Sequence, residues 1–164
     1  MTTTAKATPT PSGGHIFQVA VSGHRDLTSA APAVIRKAIG QLVDLYPSAL
    51  WLAGGATGTD QIATGELLDR GQKVRLVLPF NLVIQARLWS ESRRRILLDQ
   101  IARAAGVEVV ADQYHPKAYL DRNRRLVERA DLLVAFYSGR STGGTAHTIR
   151  LAARRRLPVL VWWV

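Results

Sequence analysis

Two stretches of this chain combine glycine with threonine in an order suited to holding an anion. Trp51-Leu52-Ala53-Gly54-Gly55-Ala56-Thr57-Gly58-Thr59-Asp60 closes a short apolar run and leads into the helical spacing of Ile62, Ala63 and Leu67. Ser138-Gly139-Arg140-Ser141-Thr142-Gly143-Gly144-Thr145 does the same between the apolar run Leu132 to Tyr137 and a helix through Ile149, Leu151 and Ala152. Strand, glycine turn and helix is the order that cradles a phosphate. Glycine lets the backbone come close to the ligand, and the unpaired N–H groups and dipole of the helix start favour negative charge. A ligand-free tight turn would leave the same local pattern, so the weight lies on there being two. A further strand ends in Ser22-Gly23-His24-Arg25-Asp26. There Arg25 can grip a phosphate or carboxylate through two N–H groups, or else pair within the rim beside Asp26.

These residues need a scaffold that brings three turns together. Ile16 to Val21 reads as a first strand, followed by a helix through Val34, Ile35, Ala38, Leu42 and Leu45 with Ser29 as N-cap and Pro32 in its first turn. Ala49 to Ala53 is the second strand, and the helix after it runs to Arg70, where Gly71 closes it. Gly65 inside that helix implies close contact with the sheet. Lys73 to Leu78 is a third strand, Leu82 to Ala105 one long helix, Val107 to Ala111 a fourth strand and Tyr114 to Arg129 another helix. Leu132 to Tyr137 and Leu157 to Val164 complete the set. Strands alternating with helices predict an α/β fold: a doubly wound, mostly parallel six-stranded sheet with helices on both faces. Right-handed crossovers then put both glycine turns on one rim. Residues 1–14 are Thr, Pro, Ser, Ala and Gly with little to bury and read as a flexible tail; residues 15–164 read as one domain.

The chain has 164 residues and no cysteine, which excludes disulfides and thiolate metal sites. No apolar run approaches the ~20 residues of a membrane span and no leader pattern is seen, so the expected setting is cytoplasmic, without membrane contact. No metal or cofactor is implied: there is no His-x-x-x-His pair, no P-loop, no Gly-x-Gly-x-x-Gly after the first strand, and no Gly-x-Ser-x-Gly elbow for acyl transfer. The net charge is +10, most of it from residue 83 onward, and no acid follows Asp131. Such a field draws nucleotides or nucleic acid, although the runs Arg93-Arg94-Arg95 and Arg154-Arg155-Arg156 also suit a plain solvated surface.

Taken in order, Ser22-Gly23-His24-Arg25-Asp26-Leu27, Gly54-Gly55-Ala56-Thr57-Gly58-Thr59-Asp60, Arg122-Asn123 ahead of Ala130-Asp131, and Ser141-Thr142-Gly143-Gly144-Thr145 resemble the SLOG superfamily. This Rossmann-like group includes lonely-guy phosphoribohydrolases, DNA-processing recombination mediators and nucleotide sensors. The resemblance covers about residues 15–164 and implies a single nucleotide-binding domain. It implies that Gly143, Gly144 and Thr145 hold a phosphate, with Ser141 and Thr142 before them. Gly54, Gly55, Thr57, Gly58 and Thr59 would meet a ribose or second phosphate, and Gly23, His24, Arg25, Arg122 and Asn123 would line the pocket.

One departure bears on catalysis. Lonely-guy enzymes carry Pro-Gly-Gly-x-Gly-Thr-x-x-Glu, and here the glutamate position falls on Thr148, with His147 before it. A glycosidic hydrolase would need a displaced carboxylate near its cationic transition state, for which Asp60, Glu66 and Asp121 are the catalytic candidates, Asp60 and Asp121 foremost. Asp60 could equally cap its helix, and His147 could act as acid or base or simply pack. The expectation is therefore a module that binds an AMP- or ADP-ribose-type nucleotide without consuming it. The alternatives are a nucleoside monophosphate N-glycosidase and a single-stranded nucleic-acid binder. The apolar side of the helix from Leu82 and the pair Trp162-Trp163 suit contact with a second copy, a homo-oligomer, or else the core.

Overall fold

The structure, a computed structural model, describes residues 14–164; the tail expected over residues 1–14 lies, except for its last residue, outside them. The elements run β1 (Gln18–Gly23), α1 (Ala31–Leu45), β2 (Leu50–Ala53), α2 (Thr59–Asp69), β3 (Lys73–Leu78) and α3 (Leu82–Gln85). They continue α4 (Glu91–Arg103), β4 (Gly106–Val109), α5 (Lys117–Arg129), β5 (Leu132–Tyr137), α6 (Gly144–Arg154) and β6 (Val159–Trp163). Every strand pairing is parallel, and the order across the sheet is β4-β3-β2-β1-β5-β6. The chain winds outward from β1 to β4, then returns to the other side of β1 for β5 and β6. Winding therefore reverses between β1 and β5, and in such sheets the ligand crevice lies outside the carboxyl ends of the strands at that point.

Alternate residues of each strand feed two cores. Val19, Val21, Trp51, Leu76 and Phe136 pack with α1, α2 and α4, while Ala20, Leu52, Val77 and Leu133 pack with α5 and α6. Residues 132 to 136 of β5 are all buried, as a strand covered on both faces requires. Asp131 sets where β5 begins: its carboxylate accepts from the Gln18 N–H of β1 at 2.8 Å.

Several local expectations are corrected. The long helix over 82–105 is two helices, because Ser90 takes an extended backbone (φ −61, ψ 155) and restarts the spiral as N-cap of α4. The apolar spacing continues across the break, so periodicity alone ran through it. α5 starts at Lys117 rather than Tyr114, behind Pro116, whose ring favours a helix start and not an interior. Ala30, not Ser29, stands at the N-cap of α1, with no side-chain cap. A Cβ on Gly65 would meet only Gln100 Nε2, at 3.7 Å, so this glycine gives clearance to α4 and not to the sheet. Among the described residues no helix is long and apolar enough to cross a membrane.

Candidate functional site

A cavity of about 490 Å³ opens at the carboxyl rim where the winding reverses, a size usual for small-molecule sites. It is lined by the end of β1 and its loop (Val21 to Arg25), by α5 (Tyr119, Leu120, Arg122, Asn123, Leu126), by the start of α6 (Gly143, Gly144, Thr145, His147), and by Ala56 and Asp60. The fold thus brings residues from four distant stretches to one place, and they differ in what they have free.

The turn after β2 is closed upon itself. Asp60 is buried and its carboxylate accepts from the Ala56 N–H at 3.1 Å. Arg122, equally buried, reaches in from α5: its guanidinium donates to the Gly54 carbonyl at 2.5 Å and to Asn123 Oδ1 at 2.7 Å, and lies 3.6 Å from the Asp60 carboxylate. The Thr59 N–H and hydroxyl both donate to the His24 carbonyl, each at 3.0 Å. Burial pushes the Asp60 carboxyl up from its ordinary value, against Arg122 and the amides of Ala56 and Gly54. Burial likewise pulls the Arg122 guanidinium down, against Asp60. Each ion offsets the other's desolvation. The glycines serve this packing: a Cβ on Gly54 would land on the Arg122 guanidinium, and Gly55 (φ +65) and Gly58 (φ +77) adopt backbone angles that side chains resist. Gly54, Gly55, Thr57, Gly58 and Thr59 are not among the residues that line the cavity, and Gly58 borders instead a second hollow between α1, α2 and α4.

The turn after β5 is open. Gly143 (φ 96) is the N-cap of α6 and has no side chain to offer its amides. The first amide bonded back in this turn is that of His147, to the Gly143 carbonyl at 3.0 Å. The N–H groups of Gly144, Thr145 and Ala146 have no acceptor among the described residues, and they stand at the positive end of a helix on the cavity wall. Ser141 and Thr142 are exposed and outside the lining set. Thr148, at the position where the resembled family carries glutamate, is buried and donates its hydroxyl to the Gly144 carbonyl at 2.8 Å.

His24 ties the two sides together. Its Nε2 accepts from the Ser138 N–H at 3.0 Å and lies 3.1 Å from the Ser138 hydroxyl, which fixes the neutral tautomer with hydrogen on Nδ1. Burial and the Arg140 charge hold its pKa below the ordinary value, against Asp26. His147 is lowered as well, by burial and by Arg150, Arg154 and Arg124. Arg25 rests over the Tyr119 ring, 5.2 Å from its centroid. Tyr119 was not singled out from sequence, although it stands three residues before Arg122 on one helix face, the spacing that could have found it. Asp121 points elsewhere: it pairs with Arg124 at 3.4 Å and does not line the cavity. Asp60 is the one carboxylate among the lining residues.

Arginines without a carboxylate partner occur both at the site and away from it, where Arg75, Arg87, Arg93, Arg94 and Arg156 have none among the described residues. Arg36, Arg70, Arg95, Arg103, Arg125, Arg129 and Arg155 each pair with a carboxylate. Among the described residues Arg25 on the lining, Arg140 beside His24, and Arg150 and Arg154 beside His147 have no such partner.

No known family model matches this sequence, and no curated protein matches it. Solved structures do share its architecture. DNA processing protein A from Streptococcus pneumoniae superposes with a TM-score of 0.70 at 20% identity, over 89% of this chain and 50% of that one. The Helicobacter pylori protein, described for its mode of binding single-stranded DNA, gives 0.69 at 19% identity, over 88% of this chain and 64% of that one. A molybdenum cofactor carrier protein from Chlamydomonas reinhardtii gives 0.60 at 18% identity, covering 90% of this chain and 76% of the other. This chain spans half, or just under two thirds, of the DNA processing proteins. What these structures share with it is the fold, the Rossmann-like parallel α/β sheet expected from the sequence.

Proposed function

We propose that this protein binds a nucleotide or nucleotide-derived ligand of the AMP or ADP-ribose type, with a phosphate on the N-terminus of α6, and holds it without turning it over. The observation that carries this reading is the uncapped α6 N-terminus opening into a rim cavity beside Arg25 and Arg140. Three free amides, a helix dipole and arginines without carboxylate partners act on one anion together. Asn123 and Tyr119 supply a polar and an aromatic contact for the rest of the ligand.

Against hydrolysis stands the state of the only lining carboxylate. Asp60 already carries Arg122 and an amide proton donor, so it is poorly placed to stabilise a sugar cation or to activate water. Incubation with nucleoside monophosphates is expected to release no free base. Binding is tested by thermal denaturation with inorganic phosphate, AMP and ADP-ribose. A ligand at about 100 times its Kd adds about 2.7 kcal/mol, which at this chain length raises Tm by roughly 5–11 °C. An unchanged Tm with all three ligands refutes the reading.

A second reading, single-stranded nucleic acid, rests on the unpaired arginines along α6 and on the single-stranded DNA binding described for the Helicobacter pylori protein. It requires affinity for an oligonucleotide to fall steeply with salt. We also infer contact with a second copy through Val83, Leu88 and Leu98, whose exposures are 80%, 86% and 54%; sedimentation of a pure sample as a monomer would exclude it.

A further inference from the structure

The rim carries a feature that the phosphate site does not use. Three rings stand in a row along the carboxyl ends of β1, β5 and β6. His24 stacks on Tyr137 at 5.7 Å between centroids and 22° between planes, and Tyr137 packs on Trp163 at 5.8 Å and 37°. The row is held rigidly. His24 is fixed by Ser138, and the Tyr137 hydroxyl donates to the Arg140 carbonyl at 2.5 Å. Gly139 (φ +84) brings the turn against the edge of Trp163, where an added Cβ would sit 3.5 Å from the indole.

The inner ring belongs to the cavity lining, while the outer one, Trp163, is 69% exposed, the most exposed aromatic among the described residues. Its neighbour Trp162, turned to the other face of the sheet by strand alternation, packs over Phe136 at 6.0 Å. Strand β6 therefore packs one indole, half-buried, against the core and presents the next at the open rim. A preorganised exposed ring packed on Tyr137 and against Gly139, in the turn that leads from β5 to α6, suits a heteroaromatic base, whose π-face stacks whatever its sequence identity.

We propose that Trp163, backed by Tyr137 and His24, is a stacking shelf for a second base, one phosphate linkage away from the phosphate held at α6. This rests on the phosphate reading above and deepens it. The ligand class becomes one with two nucleoside units joined through phosphate. Two ring steps separate Trp163 from His24, a span that a mononucleotide confined to the cavity leaves uncovered and a second unit fills. Arg140 lies beside the row and can neutralise the linking phosphate.

The test compares wild type, Trp163→Ala and Trp163→Phe by isothermal titration with inorganic phosphate, AMP, NAD and the dinucleotide of deoxyadenylate. Because Trp163 is exposed at an edge strand, both variants are expected to keep the wild-type fold, checked by Tm. Trp163→Ala should weaken NAD or the deoxyadenylate dinucleotide roughly tenfold or more, Trp163→Phe should restore most of it, and phosphate and AMP should be unchanged. Loss with NAD alone identifies a pyrophosphate-linked ligand; loss with the deoxyadenylate alone identifies a nucleic-acid strand. Dinucleotide affinities untouched by Trp163→Ala, or an equal loss for inorganic phosphate, overturn the shelf while leaving the phosphate site standing. Absence of binding by wild type to all four probes overturns both.

Discussion

The turns after β2 and β5 are alike in composition and opposite in state. Each follows a buried strand, each has glycines at positive φ, and each opens a helix of eleven residues. In the first, Asp60 follows Thr59 and folds back onto the Ala56 amide, the Thr59 amide donates to the His24 carbonyl and Arg122 locks the carbonyl side, so the protein ties down much of the turn. The Asp60 and Gln61 amides there have no acceptor among the described residues. In the second no acid is available within the turn or anywhere after it, and the helix amides stay free. Glycine turns of like composition thus differ in how far the protein's own side chains tie them down and in whether their helix start faces the cavity. One turn stiffens the floor of the cavity; the other is available to a ligand.

That contrast can be broken in four ways. The largest effect is expected from Asp60→Ala, which leaves Arg122 buried and uncompensated. A loss of about 3–5 kcal/mol, or roughly 6–20 °C in Tm, should follow in thermal denaturation. A change within ~1 kcal/mol would mean that the first turn is not held by this pair.

Second, the same small substitution should have opposite signs in the two turns. Gly54→Ala drives a methyl into the Arg122 guanidinium and should destabilise by about 3 kcal/mol. Gly144→Ala meets nothing closer than Asn123 Nδ2 at 3.7 Å and should stabilise by up to about 1 kcal/mol, since alanine has less chain entropy to lose. Third, Gly144→Asp should separate stability from binding. A carboxylate at the helix start adds about 0.3–1 kcal/mol of stability, yet occupies the anion site, so phosphate affinity should drop more than tenfold by titration calorimetry.

The smallest effect is pH dependence. His24 and His147 both titrate below their unfolded value of 6.5, so the unfolded chain takes up protons first. Their contribution is complete above pH 6.5 and is lost as pH falls through 6.5 toward the folded values. Tm should be flat from pH 7 to 8 and decline below 6.5, and His24→Asn should lessen that decline. An increase of Tm on acidification over this range would reverse the assignment of His24 as a neutral acceptor.

Much of this was open to a reader of the sequence. Alternating apolar runs and helical spacings located all six strands and predicted the carboxyl rim, because strand burial and connection handedness are local or near-local constraints. Element ends were less legible: Ser90 interrupts a continuous apolar pattern, and Pro116 delays α5, since backbone angles at single residues leave little trace in periodicity. Within the candidate site, His24, Arg25, Arg122, Asn123 and the Gly143–Thr145 turn could be named; Ala56 could not, as its type signals no pocket, and Tyr119 only through its helical spacing to Arg122.

Sequence alone determined that this chain builds a doubly wound α/β sheet with an electropositive second half and two glycine turns at one rim. Only the tertiary structure decided which turn is open. That depends on whether an acceptor from elsewhere reaches the amides, and the reach of Arg122 across 68 residues to Gly54 is a long-range contact that no local pattern encodes.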